Sequence, residues 1–453
     1  MKIIICGCGK VGNTIAEQLA REKHDITVID HNPEVLEKTV STLDVIGICG
    51  DGASKNVLTE AGAKTCDLII AITYSDEVNL LICLIAKKLG TANTIARIRN
   101  PIYSESIPLI KDDLRLSLAI NPELAAAEEI SRLIRFPSAM KIDTFAKGTV
   151  ELLKHKVKKD SVLHNLQIKD FNQKVHADVF ICAIERGEEV FIPKGDFTLL
   201  EGDLMSFIAP VHEATKFFKK IGLSTGKIKN VLIIGGGTLT YYLAKKLSEW
   251  GISVKIVEKK RERCEELSDM LPSATIINGD GTNQSFLYEE GLANAAAVLN
   301  LTGIDEQNIL ISMNVRKKLP EAKVVTKLKQ SDFADIVKDL DIGSIVKPKY
   351  ITADYIIQYV RAMQHSYGSN VETLHRIVGN KVEALEFRIR ENLPFLGIPL
   401  SELRLRPGIL IGCINRNGKI FTPKGYDVIK LGDTVIVITT VGNELGDFNE
   451  IIL

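Results

Sequence analysis

Three glycines and an acid near the start of the chain have the types and spacing to hold the phosphates and one ribose of a dinucleotide. Gly7-Cys8-Gly9-Lys10-Val11-Gly12 follows the β-branched run Lys2 to Cys6 and leads into an amphipathic helical pattern. That is the order of a βαβ dinucleotide-binding unit. Gly7 permits the tight turn. Gly9 lacks a Cβ, so backbone amides can approach a pyrophosphate. Gly12 lets the helix pack closely on the sheet. Lys10 and Val11 open the helix, whose unpaired N–H groups and partial positive charge favour an anion. Asp30 ends the returning strand, eighteen residues after Gly12. Its carboxylate can accept from ribose hydroxyls and repels a 2′-phosphate, so the loop favours NAD(H) over NADP(H). A purely structural turn is the competing reading. Cys8, beside a helix N-terminus, is expected to have a lowered thiol pKa.

The elements that must position these groups alternate along the chain. Val45 to Cys49 is a strand running into Gly50-Asp51-Gly52, with a helix to about Gly62. Asp67 to Thr73 is a strand, Glu77 to Leu89 a helix, and Thr94 to Ile98 and Leu116 to Ile120 are further strands. Asn121-Pro122 opens a helix to about Ile134. Strands alternating with helices of this length imply a doubly wound parallel sheet. Asp51 and Gly52 lie near the expected adenosine end. Thr73 lies at the carboxyl edge, where such sheets bind ligands. Arg97 and Arg99 share a strand face and could reach a phosphate. Thr73 as a helix cap and Asp76-Glu77 as first-turn acids are the structural alternatives. From about Ala139 to Leu223 helical patterns thin out and short β runs appear, at Val150 to Leu153, Val179 to Ile184 and Leu204 to Ile208. A linker at Ser224 to Lys227 follows.

The chain then repeats itself. Gly235, Gly236 and Gly237 restate the glycine loop 228 positions on, Glu258 falls where Asp30 was, and Asp280 restates Asp51. Thr302, Asp305, Glu306 and Asn308 restate Thr73, Asp76, Glu77 and Asn79. Lys327 and Lys329 stand for Arg97 and Arg99, and Pro423-Lys424-Gly425 echoes Pro193-Lys194-Gly195. The expected fold class is α/β, two Rossmann-like lobes each followed by a small α+β lobe, with bounds 1–137, 138–223, 229–365 and 366–453. One position departs. Thr240 replaces the third glycine, and is expected to push the helix off the sheet or change the turn. Lys259, Lys260 and Arg261 after Glu258 are either a solvated helix start or a preference for a more phosphorylated ligand.

Composition narrows the class. Lys plus Arg and Asp plus Glu balance at 57 each, which argues against nucleic acid as a partner. No apolar run approaches a membrane span, and the chain begins in a strand pattern without a leader, so a cytoplasmic location is expected. The eight cysteines form no C-x-x-C and read as buried thiols. The eight histidines have no metal-ligand spacing. Neither a nucleophile elbow nor a Walker A lysine is present.

The glycine loop with Asp30, the Gly50-Asp51-Gly52 turn, Ala71-Ile72-Thr73 with Asp76, Glu77 and Asn79, Ile95 to Arg99, and Asn121-Pro122-Glu123 together resemble RCK (also called KTN) domains. The tandem arrangement and length resemble the TrkA members of that family. The resemblance covers essentially the whole chain. It implies a cytoplasmic regulatory subunit, peripheral on the inner face of the membrane, that gates a TrkH/TrkG-like potassium-translocating protein. It implies a homotetramer forming an eight-lobe ring, with NAD(H), and in some members ATP or ADP, as ligands. It places Gly7, Gly9, Gly12, Asp30, Asp51, Thr73 and Arg97 at the family's nucleotide site. An NAD-dependent oxidoreductase and a purely structural ring are the competing readings. Against the oxidoreductase, the histidines of the first small lobe (His155, His164, His176, His212) have no matching partners in its second copy.

Overall fold

The structure is a computed structural model that describes residues 1–136, 141–145, 150–187, 189–222, 228–329, 340–366, 371–377, 382–440, 445 and 447–453. The first lobe runs β1 (Lys2–Cys6), α1 (Lys10–Arg21), β2 (Asp25–Asp30), α2 (Pro33–Thr42), β3 (Ile46–Cys49), α3 (Lys55–Glu60), β4 (Leu68–Ala71), α4 (Asp76–Leu89), β5 (Asn93–Arg97), α5 (Pro101–Ile110), β6 (Leu118–Ile120) and α6 (Pro122–Arg135). Its six strands form one parallel sheet in the order β3-β2-β1-β4-β5-β6. The order reverses between β1 and β4, which leaves a crevice at their carboxyl ends. The central strands are buried on both faces, hence the unbroken Ile3-Ile4-Ile5 and Leu68-Ile69-Ile70. Helix α1 buries Gly12, Ile15, Ala16 and Leu19 along one stripe.

The first small lobe contains β7 (Lys141–Phe145), β8 (Val150–Lys156), α7 (Phe171–Val175), β9 (Phe180–Arg186), β10 (Glu189–Phe191), β11 (Leu204–Pro210) and α8 (Val211–Lys220). Its sheet is antiparallel, in the order β10-β9-β11-β8-β7. The second lobe repeats the first with β12 (Asn230–Ile234), α9 (Thr238–Glu249), β13 (Ser253–Glu258), α10 (Arg261–Met270), β14 (Thr275–Asn278), α11 (Gln284–Glu289), β15 (Ala297–Asn300), α12 (Asp305–Lys318), β16 (Lys323–Lys327), β17 (Ser344–Val346) and α13 (Pro348–Ser366). Its sheet order, β14-β13-β12-β15-β16-β17, copies the first. The last lobe is β18 (Val371–Ile377), β19 (Val382–Arg388), β20 (Ile409–Arg416), β21 (Lys419–Phe421) and β22 (Thr434–Thr440), ordered β18-β19-β22-β20-β21.

The alternation read from the sequence is thus present, and further helices go beyond it, among them α2, α5, α7 and α8. Helix α5 carries Pro108 in its interior, which breaks the helical pattern, although Asn100 caps it and Pro101 opens it. Helix α8 follows β11 directly, with Pro210 as its N-cap, and buries Ala214, Phe217 and Phe218. The linker at 224–227 lies outside the described residues.

The chain divides into two compact units, Met1–Ser131 with Ile228–Ile357, and Arg132–Lys227 with Gln358–Leu453. In the first unit both Rossmann lobes meet. There Asn121 Nδ2 donates to the Tyr242 hydroxyl at 2.8 Å, and both residues are buried. In the second unit the small lobes share one core, with Leu152, Cys182 and Ile208 packed with Ala384, Cys413 and Ile436. Each small lobe also carries the same bidentate ion pair. Arg186 clasps buried Asp203 at 2.8 Å through two nitrogens, and Arg416 clasps buried Asp433 at 2.8 and 2.7 Å. Asp203 and Asp433 also accept the amides of Leu200 and Lys430. Removing Asp203 strands a partly exposed guanidinium and the Leu200 amide, a loss of about 1–3 kcal/mol. Asp203→Ala is therefore expected to lower the denaturant midpoint of the small-lobe transition, whereas Lys194→Ala, at an exposed turn, leaves it unchanged.

Candidate nucleotide sites

The first glycine loop is held from two sides. Gly7 N donates to Ile29 O at 2.8 Å, tying the turn to β2. Cys8 N donates to Asp30 Oδ2 at 2.7 Å, and Asn32 N donates to Asp30 Oδ1 at 2.9 Å. Gly7 sits at φ +105°, and a Cβ there would lie 2.9 Å from Ile72 O, so glycine is required twice over. A Cβ on Gly9 would meet nothing within 4 Å, which leaves the loop open on its outer side. The first helical bond is Asn13 N to Gly9 O, and Gly9 caps α1 without a side-chain bond. The N–H groups of Lys10, Val11 and Gly12 therefore have no partner within the helix. They point from the loop as an anion cradle. Asp30 is nearly buried but keeps lone pairs on both oxygens for a ribose.

Asp51 is exposed at the end of β3, and its Oδ1 accepts Ala53 N at 2.9 Å. Gly52 is buried, with Cys6 and Ile82 against the place of its absent Cβ. Thr73 does not cap the next helix; Ser75 does. The hydroxyl and amide of Thr73 instead donate to Asn79 Oδ1, at 2.8 and 2.7 Å. Fully buried Asn79 returns its Nδ2 to Arg97 O at 2.9 Å. Asp76 Oδ2 accepts the amides of Arg99 and Asn100, both at 2.8 Å.

One expectation is corrected here, that for Cys8, and the settings of Arg97, Arg99 and Thr240 are defined. The Arg97 and Arg99 guanidinium groups donate to the carbonyls of Thr73 and Tyr74. Burial, and then Arg99, lowers the Arg97 pKa. Cys8 is not an acidified thiol. Burial, and then the Asp30 carboxylate, pushes it up to about 12, outweighing the helix N-terminus. Of the two outcomes expected for Thr240, the changed turn is not found. Gly235 has φ +103°, and Gly237 keeps the cap geometry of Gly9. Thr240 Oγ1 donates to Gly235 O at 2.5 Å, whereas a Cβ on Gly12 would lie 1.9 Å from Gly7 O. Loop and helix are therefore set slightly further apart in the second lobe.

The second loop is held in the same way. Gly236 N donates to Glu258 Oε2 at 2.7 Å, and Lys260 N donates to Glu258 Oε1 at 2.8 Å. Asn308 repeats the Asn79 clamp, accepting from Thr302 and donating to Lys327 O at 2.9 Å. Lys327 Nζ donates to Leu301 O, and burial drives its pKa down to about 8. Asp280 pairs with Lys259 at 2.8 Å, and that bond holds its carboxyl well below the usual range. Arg263 had no signal beyond the surrounding charge run. Its Nε donates to Gly236 O at 2.8 Å, on the loop itself. A cavity of about 550 Å³ opens at the first lobe's carboxyl edge, lined by Tyr74, Asp76, Arg99, Tyr103 and Glu123 and reaching Thr238.

Comparison with known proteins places this geometry. The TrkA-N domain model matches residues 3–115 and 231–348, taking in both loops and both acids, and the TrkA-C domain model matches 152–222 and 384–448. The chain belongs to the TrkA family. The Trk system potassium uptake protein TrkA homolog of Archaeoglobus fulgidus is 34% identical over 438 residues, covering 96% of this chain and 97% of that one. TrkA homolog 1 of Methanosarcina mazei is 30% identical, covering 97% of each. TrkA of Haemophilus influenzae is 29% identical, covering 96% of this chain and 95% of its own. Among solved structures, the GsuK channel bound to NAD aligns with TM-score 0.64 at 17% identity, over 97% of this chain and 77% of that one. The GsuK RCK domain aligns with TM-score 0.62 at 17% identity, over 97% and 92%. These structures share the fold. No described helix of this TrkA-family chain is long and apolar enough to cross a membrane.

The cysteines give a direct check on the loop. Seven are buried and Cys49 is exposed. At pH 8 a thiol reagent is expected to modify Cys49 in the native chain and spare Cys8, with all eight reacting after unfolding. Rapid native labelling of Cys8, mapped by peptide mass, would contradict the buried, protonated thiol.

Proposed function

We propose that this chain is a cytoplasmic regulatory subunit that binds NAD(H) in its first lobe and gates a TrkH/TrkG-like potassium-translocating membrane protein. The observation that carries the reading is one loop-and-acid arrangement built twice in a TrkA-family chain. Gly7, Gly9 and Gly12 with Asp30 form the better preserved copy. ATP or ADP serves as an alternative ligand, and four chains make an eight-lobe ring on the inner face of the membrane. The lobes are bounded at 1–137, 138–223, 229–365 and 366–453. The oxidoreductase reading finds less support. Thr73, Asn79, Asp76, Arg97 and Arg99 are engaged in bonds that hold the carboxyl edge together, and a dehydrogenase needs a proton donor or acceptor free beside the nicotinamide.

A ligand shifts a two-state ring only by its differential affinity for the two states, and a tenfold bias takes about 1.4 kcal/mol. Several sites per ring supply more by addition. Isothermal titration of the full chain with NADH, NAD⁺, ADP and ATP tests the reading. The expected result is NADH binding with a micromolar Kd, about −8 kcal/mol, and no NADH consumption. Asp30→Ala is expected to weaken it about tenfold or more, since it removes both the ribose acceptor and the loop's anchor. Wild-type affinity in Asp30→Ala, or steady turnover of NADH, contradicts the proposal.

A further inference from the structure

The two lobes share a fold but differ beside the second-strand acid. In the first lobe Asn32 caps α2, its Oδ1 accepting Glu34 N at 3.0 Å and Val35 N at 3.4 Å. The adenosine end there is bordered by Asp30 and Asp51, with His31 as the neighbouring base. In the second lobe Lys260 replaces Asn32, and Arg263 replaces Val35, at the same spacing. Lys260 makes no side-chain cap bond, so α10 begins with its N–H groups uncapped beside a cation.

Glu258 holds two backbone amides just as Asp30 does, and Asp280 is paired with Lys259, so what sets the second lobe apart is the cations around its acid. Arg263 is anchored on the glycine loop through Gly236 O, which fixes its guanidinium next to Glu258. Arg263 also pairs with Glu266, and Arg261 with Glu265. These are one-turn pairs with exposed carboxylates, weak enough to yield to a phosphate. Among the described residues the Lys260 ammonium has no carboxylate partner.

A phosphate on the adenosine ribose carries up to two negative charges and three acceptor oxygens. An arginine beside the acid is how this fold takes a 2′-phosphate. We propose that the second lobe is a site for a 2′-phosphorylated adenine dinucleotide of the NADP(H) class, with Lys260 and Arg263 holding the phosphate. The inference rests on the reading of the glycine loops as nucleotide sites. Under it one chain carries two different specificities: the first lobe sets Asp30 and Asp51 against the 2′-phosphate, and in the second Lys260 and Arg263 outweigh the matching acids Glu258 and Asp280.

The test is a titration of the full chain with adenosine 2′,5′-bisphosphate against 5′-AMP, and with NADPH against NADH. The expected result is two sites per chain, one preferring the bisphosphate at least tenfold. Lys260→Ala and Arg263→Ala each weaken the bisphosphate several-fold more than they weaken 5′-AMP, and Asp30→Ala leaves the preference intact. Lys260→Met, at an exposed position, separates lost charge from lost fold. Two sites without preference overturn the phosphate specificity alone. A bisphosphate site lost in Asp30→Ala places it in the wrong lobe and overturns the proposal. A single site per chain that is lost in Asp30→Ala, or no nucleotide binding at all, overturns it together with the second lobe's assignment as a nucleotide site.

Discussion

A carboxylate at the end of the second strand fixes each glycine loop. Asp30 takes the amide of Cys8, and Glu258, one methylene longer, takes the amide of Gly236, the corresponding loop position. Hydrogen bonds to a charged group are worth about 1.5–3 kcal/mol, roughly twice a neutral bond. With that amide held inward, the next three N–H groups, at the start of α1 or α9, are left for an anion. The acid thus serves the loop before any ribose arrives. Its lone pairs remain available, so anchoring and recognition are compatible.

The carboxyl edge depends on a second constraint. A parallel sheet must end its strands in buried polar backbone, and those groups need partners. Asn79 and Asn308 supply them, each bridging the ends of two neighbouring strands, while Asp76 and Asp305 gather the amides that follow β5 and β16. The edge is therefore tied together by its own side chains.

Much of this was legible in the sequence, for physical reasons. The βαβ fingerprint is local, so glycine spacing and strand pattern were enough to place Gly7, Gly9, Gly12 and Asp30. Duplication marked Thr73, Asp76 and Asn79 as constrained, but spacing alone does not reveal whether a constraint is for a ligand or for the backbone. Arg97 and Arg99 show this: their strand position was legible, and the carbonyls of Thr73 and Tyr74 that they reach were not. The direction of the Cys8 shift depended on burial, which competes with the helix terminus and wins. Thr240 kept the turn because its hydroxyl found the carbonyl that a bare Cβ would strike. Helix α5 was hidden by Pro108, and Arg263 by the charge run around it.

The most direct measurement of the central claim is amide hydrogen exchange across residues 8–12 and 28–32 in the full chain, with and without excess NADH. The account predicts that NADH slows exchange at Lys10, Val11 and Gly12, the free amides at the start of α1, while the already bonded Cys8 amide changes least. Unchanged exchange across that loop in excess NADH would contradict the assignment of the first lobe as the nucleotide sensor.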